Sequence, residues 1–121
     1  MPRRSSSSAG ATYLDRPARI DALREAARRA AGRLTDVRRI LLFGSLASGI
    51  PTPRSDADLL VILESSPLAR PRDRLPEVLR ALAPLPCPVD LFVLTEAELD
   101  RARAAGDPLV GLALARGIDL L

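Results

Sequence analysis

Residues 37–63 read VRRILLFGSLASGIPTPRSDADLLVIL, two apolar runs separated by a polar segment that contains two prolines. The first run, Val37–Phe43, predicts a strand, and the second, residues 58–63, predicts a strand that is buried on both faces. Pro51 and Pro53 interrupt any ladder of backbone hydrogen bonds, so the segment between the runs predicts a loop. We expect these two strands to form the basis of a sheet.

A helix is predicted before the first strand, from Asp15 to about Arg33. Asp15 is a suitable N-cap, and Pro17 falls in the first turn, where proline is tolerated. Apolar residues recur at alternating spacings of three and four, which places them on one stripe of the helix. The stripe consists of Ile20, Leu23, Ala27, Ala30 and Leu34. We expect this stripe to pack on the sheet.

The rest of the chain continues the alternation of helices and strands. Thr95 and Glu98 match a capping box, and Asp107 caps a further helix that ends at Gly117. Helices are predicted over residues 73–82, 95–106 and 107–117, and strands over residues 89–94 and 118–121. The pattern predicts the α/β (α+β) fold class, with a small mixed β-sheet and helices packed on it.

The length of 121 residues predicts one domain with one hydrophobic core. Residues 1–12 (MPRRSSSSAGAT) contain nothing to bury and predict a flexible N-terminal tail, so the domain is expected over residues 13–121. No apolar run approaches the roughly 20 residues that cross a bilayer, and the N-terminus lacks the apolar stretch of a signal peptide. A cytoplasmic location is therefore expected.

Missing residue types exclude several classes of chemistry. The chain has no histidine, which excludes Ser-His-Asp hydrolysis, Cys-His proteolysis and the common His-ligated zinc centres. Its one cysteine, Cys87, excludes an intrachain disulfide and a cysteine zinc cluster. Chemistry must therefore use carboxylates, hydroxyls, arginines or backbone amides.

Positive charge is concentrated in the first third of the chain. All 18 basic residues are arginine, and residues 1–40 carry ten of them against four acids. Such a region can attract phosphate or an acidic partner surface. Only Tyr13, Phe43 and Phe92 are aromatic, too few for a platform that stacks bases, so nucleic-acid binding is not favoured.

Three carboxylates are candidate metal ligands. Asp56 and Asp58 are two residues apart at the start of a strand, so they project side by side from one face. Such a pair repels unless a cation lies between the carboxylates, and magnesium suits one or two carboxylates together with substrate phosphates. If the strand that contains Asp90 lies next to that of Asp58, three carboxylates converge, enough for two metal ions about 4 Å apart.

A candidate anion site precedes these acids. Gly44 and Ser45 follow a strand, and a turn there presents backbone amides and a hydroxyl to a triphosphate. Arg54, just before the acids, is a candidate phosphate contact, although a loop arginine of this kind is more often solvated. Taken singly, Asp56 is better interpreted as a loop-ending cap and Asp90 as a strand-edge carboxylate. Their joint spacing with Gly-Ser favours metal binding and catalysis.

With Gly44-Ser45, ten residues and then Asp56-Ala-Asp58, the sequence resembles the DNA polymerase beta-like nucleotidyltransferases, in particular the minimal nucleotidyltransferases. The resemblance implies the polymerase beta-like nucleotidyltransferase fold. It also implies that Gly44 and Ser45 bind the triphosphate, that Asp56 and Asp58 hold magnesium, and that Asp90 is the third carboxylate, which helps to activate the acceptor hydroxyl. Two Mg²⁺ ions and ATP as substrate are expected.

The same resemblance suggests a partner. Many family members are antitoxins encoded beside a helical HEPN toxin, to which they can transfer AMP. The family often has arginines shortly after Gly-Ser, whereas this chain has Leu46, Ala47 and Ser48. The leading hypothesis is a nucleotidyltransferase that passes AMP to a hydroxyl of a partner protein. The alternative is a non-catalytic antitoxin or binding module that acts by occlusion of its partner.

Overall fold

The computed structural model of the chain describes residues 16–48 and 57–121. The helices are α1 (Arg16–Arg33), α2 (Ser45–Ser48), α3 (Leu75–Leu82), α4 (Glu96–Ala104) and α5 (Pro108–Arg116). The strands are β1 (Val37–Phe43), β2 (Ala57–Leu63), β3 (Val89–Thr95) and β4 (Ile118–Asp119), and a 3-10 turn covers Pro71–Arg74. The expected tail, residues 1–12, and the expected N-cap Asp15 lie outside the described residues.

The four strands form one mixed sheet in the order β3-β2-β1-β4. β1 runs antiparallel to β2 and to β4, whereas β2 runs parallel to β3. The register sets Phe43 opposite Asp58 and Asp58 opposite Asp90. The last residue of β1 therefore lies beside the first residues of β2 and β3, at one end of the strands. The predicted fold class, a mixed sheet with packed helices, is confirmed.

Helices cover both faces of the sheet. On one face the alanine-rich stripe of α1 packs together with α3, and on the other α4 and α5 contribute Leu99, Val110 and Ala113. Alternate residues of β2 belong to the two clusters, with Leu59 and Val61 in one and Leu60 and Ile62 in the other. This explains why β2 is a continuous apolar run rather than an alternating one. Within residues 16–48 and 57–121, no helix combines the length and apolar character needed to span a bilayer.

β3 differs from the sequence-based expectation. Its apolar run predicts a buried strand, but in the part of the chain that the structure describes it is an edge strand, paired on one side only. Val93 and Thr95 are buried, while Leu91, Phe92 and Leu94 are only partly covered. The segment from Pro71 to Leu75 lies against the outer side of the strand and leaves an open cleft there. Apolar residues are accommodated in this edge strand because their side chains lie on the two faces of the sheet, with Leu91 and Val93 in one cluster and Phe92 and Leu94 against the other.

A buried ion pair fixes the segment beside β3. The Arg74 side chain is 3% exposed and donates to Glu98 Oε1 at 2.6 Å and to Glu98 Oε2 at 3.0 Å. Its Nη2 also donates to the Leu68 carbonyl at 2.7 Å. Glu98 accepts from the Thr95 amide and Thr95 Oγ1 accepts from the Glu98 amide, which is the predicted capping box of α4. The hydrogen bond from Arg74 is the main reason why the pKa of Glu98 is lowered to about 2.

The Glu98→Gln variant is expected to unfold more easily at neutral pH. It loses a charge-assisted hydrogen bond and leaves a buried guanidinium without its carboxylate, a cost of about 2 kcal/mol in the free energy of unfolding. Because the folded-state pKa is depressed, this stabilisation is present above the ordinary pKa of 4.5 and is lost as the pH falls toward about 2. Urea unfolding of both proteins at pH 7 and pH 3 measures the difference, which should shrink at the lower pH.

The matched control lies on the same helix. Asp100 pairs with Arg103 at 3.1 Å, but both side chains are more than 60% exposed. Asp100→Asn is therefore expected to change the free energy of unfolding by less than about 0.5 kcal/mol. If Glu98→Gln were as mild as Asp100→Asn, the ion pair of Arg74 would not anchor this segment.

Candidate functional site

Two of the predicted acids lie side by side where the end of β1 adjoins the starts of β2 and β3. Asp58 is the second residue of β2 and Asp90 the second residue of β3, and the parallel register places them opposite each other. Asp58 is half-buried and Asp90 is exposed. The pKa of Asp58 is raised, first by burial and then by the charge of Asp90 and a hydrogen bond between the two side chains. A carboxyl pair of this kind binds a proton or a cation between its oxygens.

The backbone of Gly44 lies directly against this pair. Gly44 follows β1 and adopts a φ of +82°, in the left-handed region that favours glycine. A Cβ added here would overlap Asp58 Oδ2 and lie 3.1 Å from Asp58 Cγ. Glycine is thus required both by the turn and by the close approach of the chain to the carboxylate. The chain then continues into α2, the short helix of residues 45–48.

The structure therefore brings Gly44, Asp58 and Asp90 together, as the predicted site requires. Ser45 follows Gly44 as the first residue of α2. Asp56 and Arg54 lie outside the described residues, so their predicted places in the site stay predictions. No group of three or more potential metal-ligating side chains occurs within residues 16–48 and 57–121.

Sequence reasoning missed the contact that holds α2. Arg16, at the start of α1, donates from Nε to the Leu46 carbonyl at 2.7 Å and from Nη2 to the Ala47 carbonyl at 2.6 Å. The partners are 30 and 31 residues away in the chain. No local pattern identifies such a contact, because an arginine in the first turn of a helix ordinarily predicts only a solvated side chain.

Other arginines of α1 also bind backbone carbonyls. Arg29 donates to the Leu82 carbonyl at 2.9 Å and to the Pro84 carbonyl at 2.6 Å. Arg33 donates to the Ala81 carbonyl at 3.2 Å, so two guanidiniums cover the C-terminal end of α3. By contrast, Arg28 makes an exposed ion pair with Glu25 on the same helix. Several arginine side chains of α1 thus stabilise the fold by hydrogen bonds to the backbone of other elements.

The Gly44→Ala variant is expected to be less stable than Gly106→Ala. Both glycines have a positive φ, +82° and +74°, so alanine at either position strains the backbone, at a cost of about 1–3 kcal/mol. At Gly106 no atom lies within 4 Å of an added Cβ, whereas at Gly44 the Cβ overlaps the Asp58 carboxylate. Chemical denaturation compares the two losses of stability. Equal losses would mean that Asp58 rotates away from Gly44 at no cost.

The Asp58→Asn variant is expected to melt at the same temperature as the parent protein, or higher, when no metal is added. The pKa of Asp58 is raised in the folded state, so its protonated form is favoured there and stability is lost as the pH rises through that pKa. Asparagine does not ionise and escapes this loss. Melting curves in EDTA from pH 4 to pH 8 should show an advantage of the variant that grows with pH. A strongly lowered melting temperature would assign Asp58 a structural role instead.

Comparisons with known proteins show the family and support the fold. Residues 20–118 match the family model of the nucleotidyltransferase domain. The fold is similar to that of a candidate nucleotidyltransferase from Sulfolobus solfataricus, with a TM-score of 0.62 and 21% identity over 89% of this chain and 85% of that chain. No protein of curated function matches the chain significantly. Since the family match spans most of the sequence, the chain belongs to the nucleotidyltransferase domain family.

Proposed function

We propose that this domain transfers a nucleoside monophosphate, AMP from ATP, to a hydroxyl acceptor in a magnesium-dependent reaction. The observation that carries the proposal is the Asp58–Asp90 pair with the Gly44 backbone against it. The resemblance to the polymerase beta-like nucleotidyltransferases assigns these carboxylates to the metals and this glycine turn to the triphosphate. The dependence on magnesium, the nucleotide used and the class of acceptor can each be tested separately.

The carboxylates are suited to magnesium. Asp58 and Asp90 are hard oxygen ligands, and the pKa of Asp58 is raised first by burial and then by the neighbouring charge of Asp90. A divalent cation would relieve the repulsion, and magnesium accepts one or two carboxylates with water and phosphate oxygens. Asp56 is proposed as a further ligand of two magnesium ions. When bound, magnesium would supply positive charge that stabilises the charge developing on the transferred phosphoryl group.

The remaining groups of the site are assigned to the triphosphate and to the acceptor hydroxyl. Gly44 lets the backbone approach the triphosphate, and Ser45 and Arg54 are proposed as its further contacts. Asp90 is the exposed carboxylate of the pair and can reach an incoming hydroxyl. We assign it to accept the hydroxyl proton while the oxygen forms a bond to the α-phosphorus and diphosphate leaves. Positioning of the hydroxyl in line with the leaving group is the main requirement for such a transfer.

The acceptor is proposed to be a protein hydroxyl. Directly after Asp90, residues 91–94 of β3 line an open apolar cleft of about 320 Å³ together with Pro71, Arg72 and Leu75. An apolar cleft favours contact with a protein surface more than with a polyanionic RNA end. The resemblance to the minimal nucleotidyltransferases names a HEPN-type toxin as the partner. In this proposal the domain is its antitoxin and acts by transferring AMP.

Two measurements test the proposal in sequence. ATP with magnesium at 100 times its dissociation constant stabilises a protein by about 2.7 kcal/mol, which should raise the melting temperature by about 10 °C. The shift should be absent in EDTA and in Asp58→Asn. An equal shift with ATP in EDTA would contradict the magnesium-bridged site.

Transfer is then measured by intact mass. The domain is incubated with magnesium, ATP and the proposed HEPN-type partner, and the partner should gain the mass of one adenylyl group. Asp58→Asn and Asp90→Asn should abolish the gain, whereas Asp100→Asn, which is remote and exposed, should retain it. A stable complex without a gain in mass would favour occlusion instead. Labelling of RNA without the partner would overturn the protein acceptor.

A further inference from the structure

We propose that Arg16 is a positioning residue for the nucleotide, because it fixes the turn that follows Gly44. This inference rests on the proposed function, since it assigns Arg16 a part in binding the same triphosphate. Arg16 lies at the start of α1, at the opposite end of the 44–48 segment from the carboxylate pair. It acts through the backbone of that segment rather than by contact with the nucleotide.

The contact is a two-point clamp. Nε and Nη2 of one guanidinium donate to two successive carbonyls, Leu46 O at 2.7 Å and Ala47 O at 2.6 Å. Both bonds are short and charge-assisted, which makes them stronger than bonds between neutral groups. Because α2 is a helix of four residues, its last carbonyls have no partner within the helix. Arg16 satisfies two of them and restricts the orientation of the turn.

The base of the clamp is rigid. α1 is packed into the core through Leu23, Ala26, Ala27 and Ala30, each of which is at most 1% exposed. At its other end, the segment is fixed by β1 and by the contact between Gly44 and Asp58. Arg16 therefore connects the turn to the first turn of a helix whose middle is packed into the core. Leu46 and Ala47 also pack partly against the main core cluster. Without Arg16, the segment would keep these apolar contacts but lose the two bonds that fix its carbonyls, and the amides after Gly44 would be less ordered.

The clamp also changes the local charge. Leu46 and Ala47 carry no charged group, so the turn has no cation of its own at these positions. The two carbonyl oxygens carry partial negative charge that opposes an incoming triphosphate. A guanidinium bound to these oxygens offsets that charge at short range. Order and charge thus act in the same direction, and both favour nucleotide binding.

The test compares substitutions of Arg16 with a control on the same helix. Arg16→Gln removes the charge and one of the donors, Arg16→Lys keeps the charge but not the planar fork, and Arg28→Gln removes an exposed arginine that pairs with Glu25. Binding of ATP in excess magnesium is measured by calorimetry well below the melting temperature of each protein. Arg16→Gln should weaken binding by about 10-fold, as supporting residues of a site commonly do. Arg16→Lys should restore part of the loss, and Arg28→Gln should bind like the parent.

A second measurement does not depend on nucleotide. Hydrogen–deuterium exchange of the apo proteins should be faster over residues 44–48 in Arg16→Gln, with the exchange of β2 unchanged. A purely stabilising Arg16 would lower the melting temperature without changing the dissociation constant or this local exchange, and that result would overturn the inference. If the parent protein failed to bind ATP with magnesium while Arg16→Gln still showed faster local exchange, the nucleotide proposal would be overturned and the clamp itself would stand.

Discussion

The burial of β2 on both faces is the constraint on which the rest of the structure depends. Leu59, Leu60, Val61 and Ile62 are each at most 1% exposed, and their side chains alternate between the two clusters. A strand so enclosed needs a neighbour on each side and helices above and below, which the mixed sheet supplies. Its first polar side chain, Asp58, can then lie only at the end of the strand. The carboxylate pair is thus located by the packing of the apolar residues that follow it.

Much of this arrangement was accessible from the sequence because it depends on local patterns. The apolar run of β2, the stripe of α1 and the Thr95–Glu98 capping box are each encoded within a few residues. The contact between Asp58 and Asp90 could be predicted only on the condition that their strands are neighbours, because the sequence does not show which strands pair. The parallel register of β2 and β3 supplied that information. The acids alone indicated a metal site, and the resemblance to a known family supplied the prediction of a nucleotidyltransferase.

What sequence reasoning missed depends on distant partners. Arg74 looks like an ordinary charged residue at the start of the helix predicted over residues 73–82. It is nevertheless buried, because it pairs with Glu98, 24 residues later. The edge position of β3 was hidden because its side chains pack into both core clusters, which gives it the apolar composition that ordinarily marks an inner strand. The same holds for Arg16, whose partners are backbone carbonyls and leave no trace in the sequence pattern.

The carbonyl-binding arginines of α1 have a consequence for the behaviour of the protein in salt. An ion pair is weakened by mobile ions and is broken when its acid is protonated. A backbone carbonyl does not titrate and carries no net charge that mobile ions could screen. The attachments of α1 to α2 and to the end of α3 should therefore persist in acid and at high ionic strength. Such bonds also leave the positive charge uncompensated. Arginines of the chain can therefore stabilise the fold by hydrogen bonds to backbone carbonyls, and the chain still remains basic, with a net charge of +3.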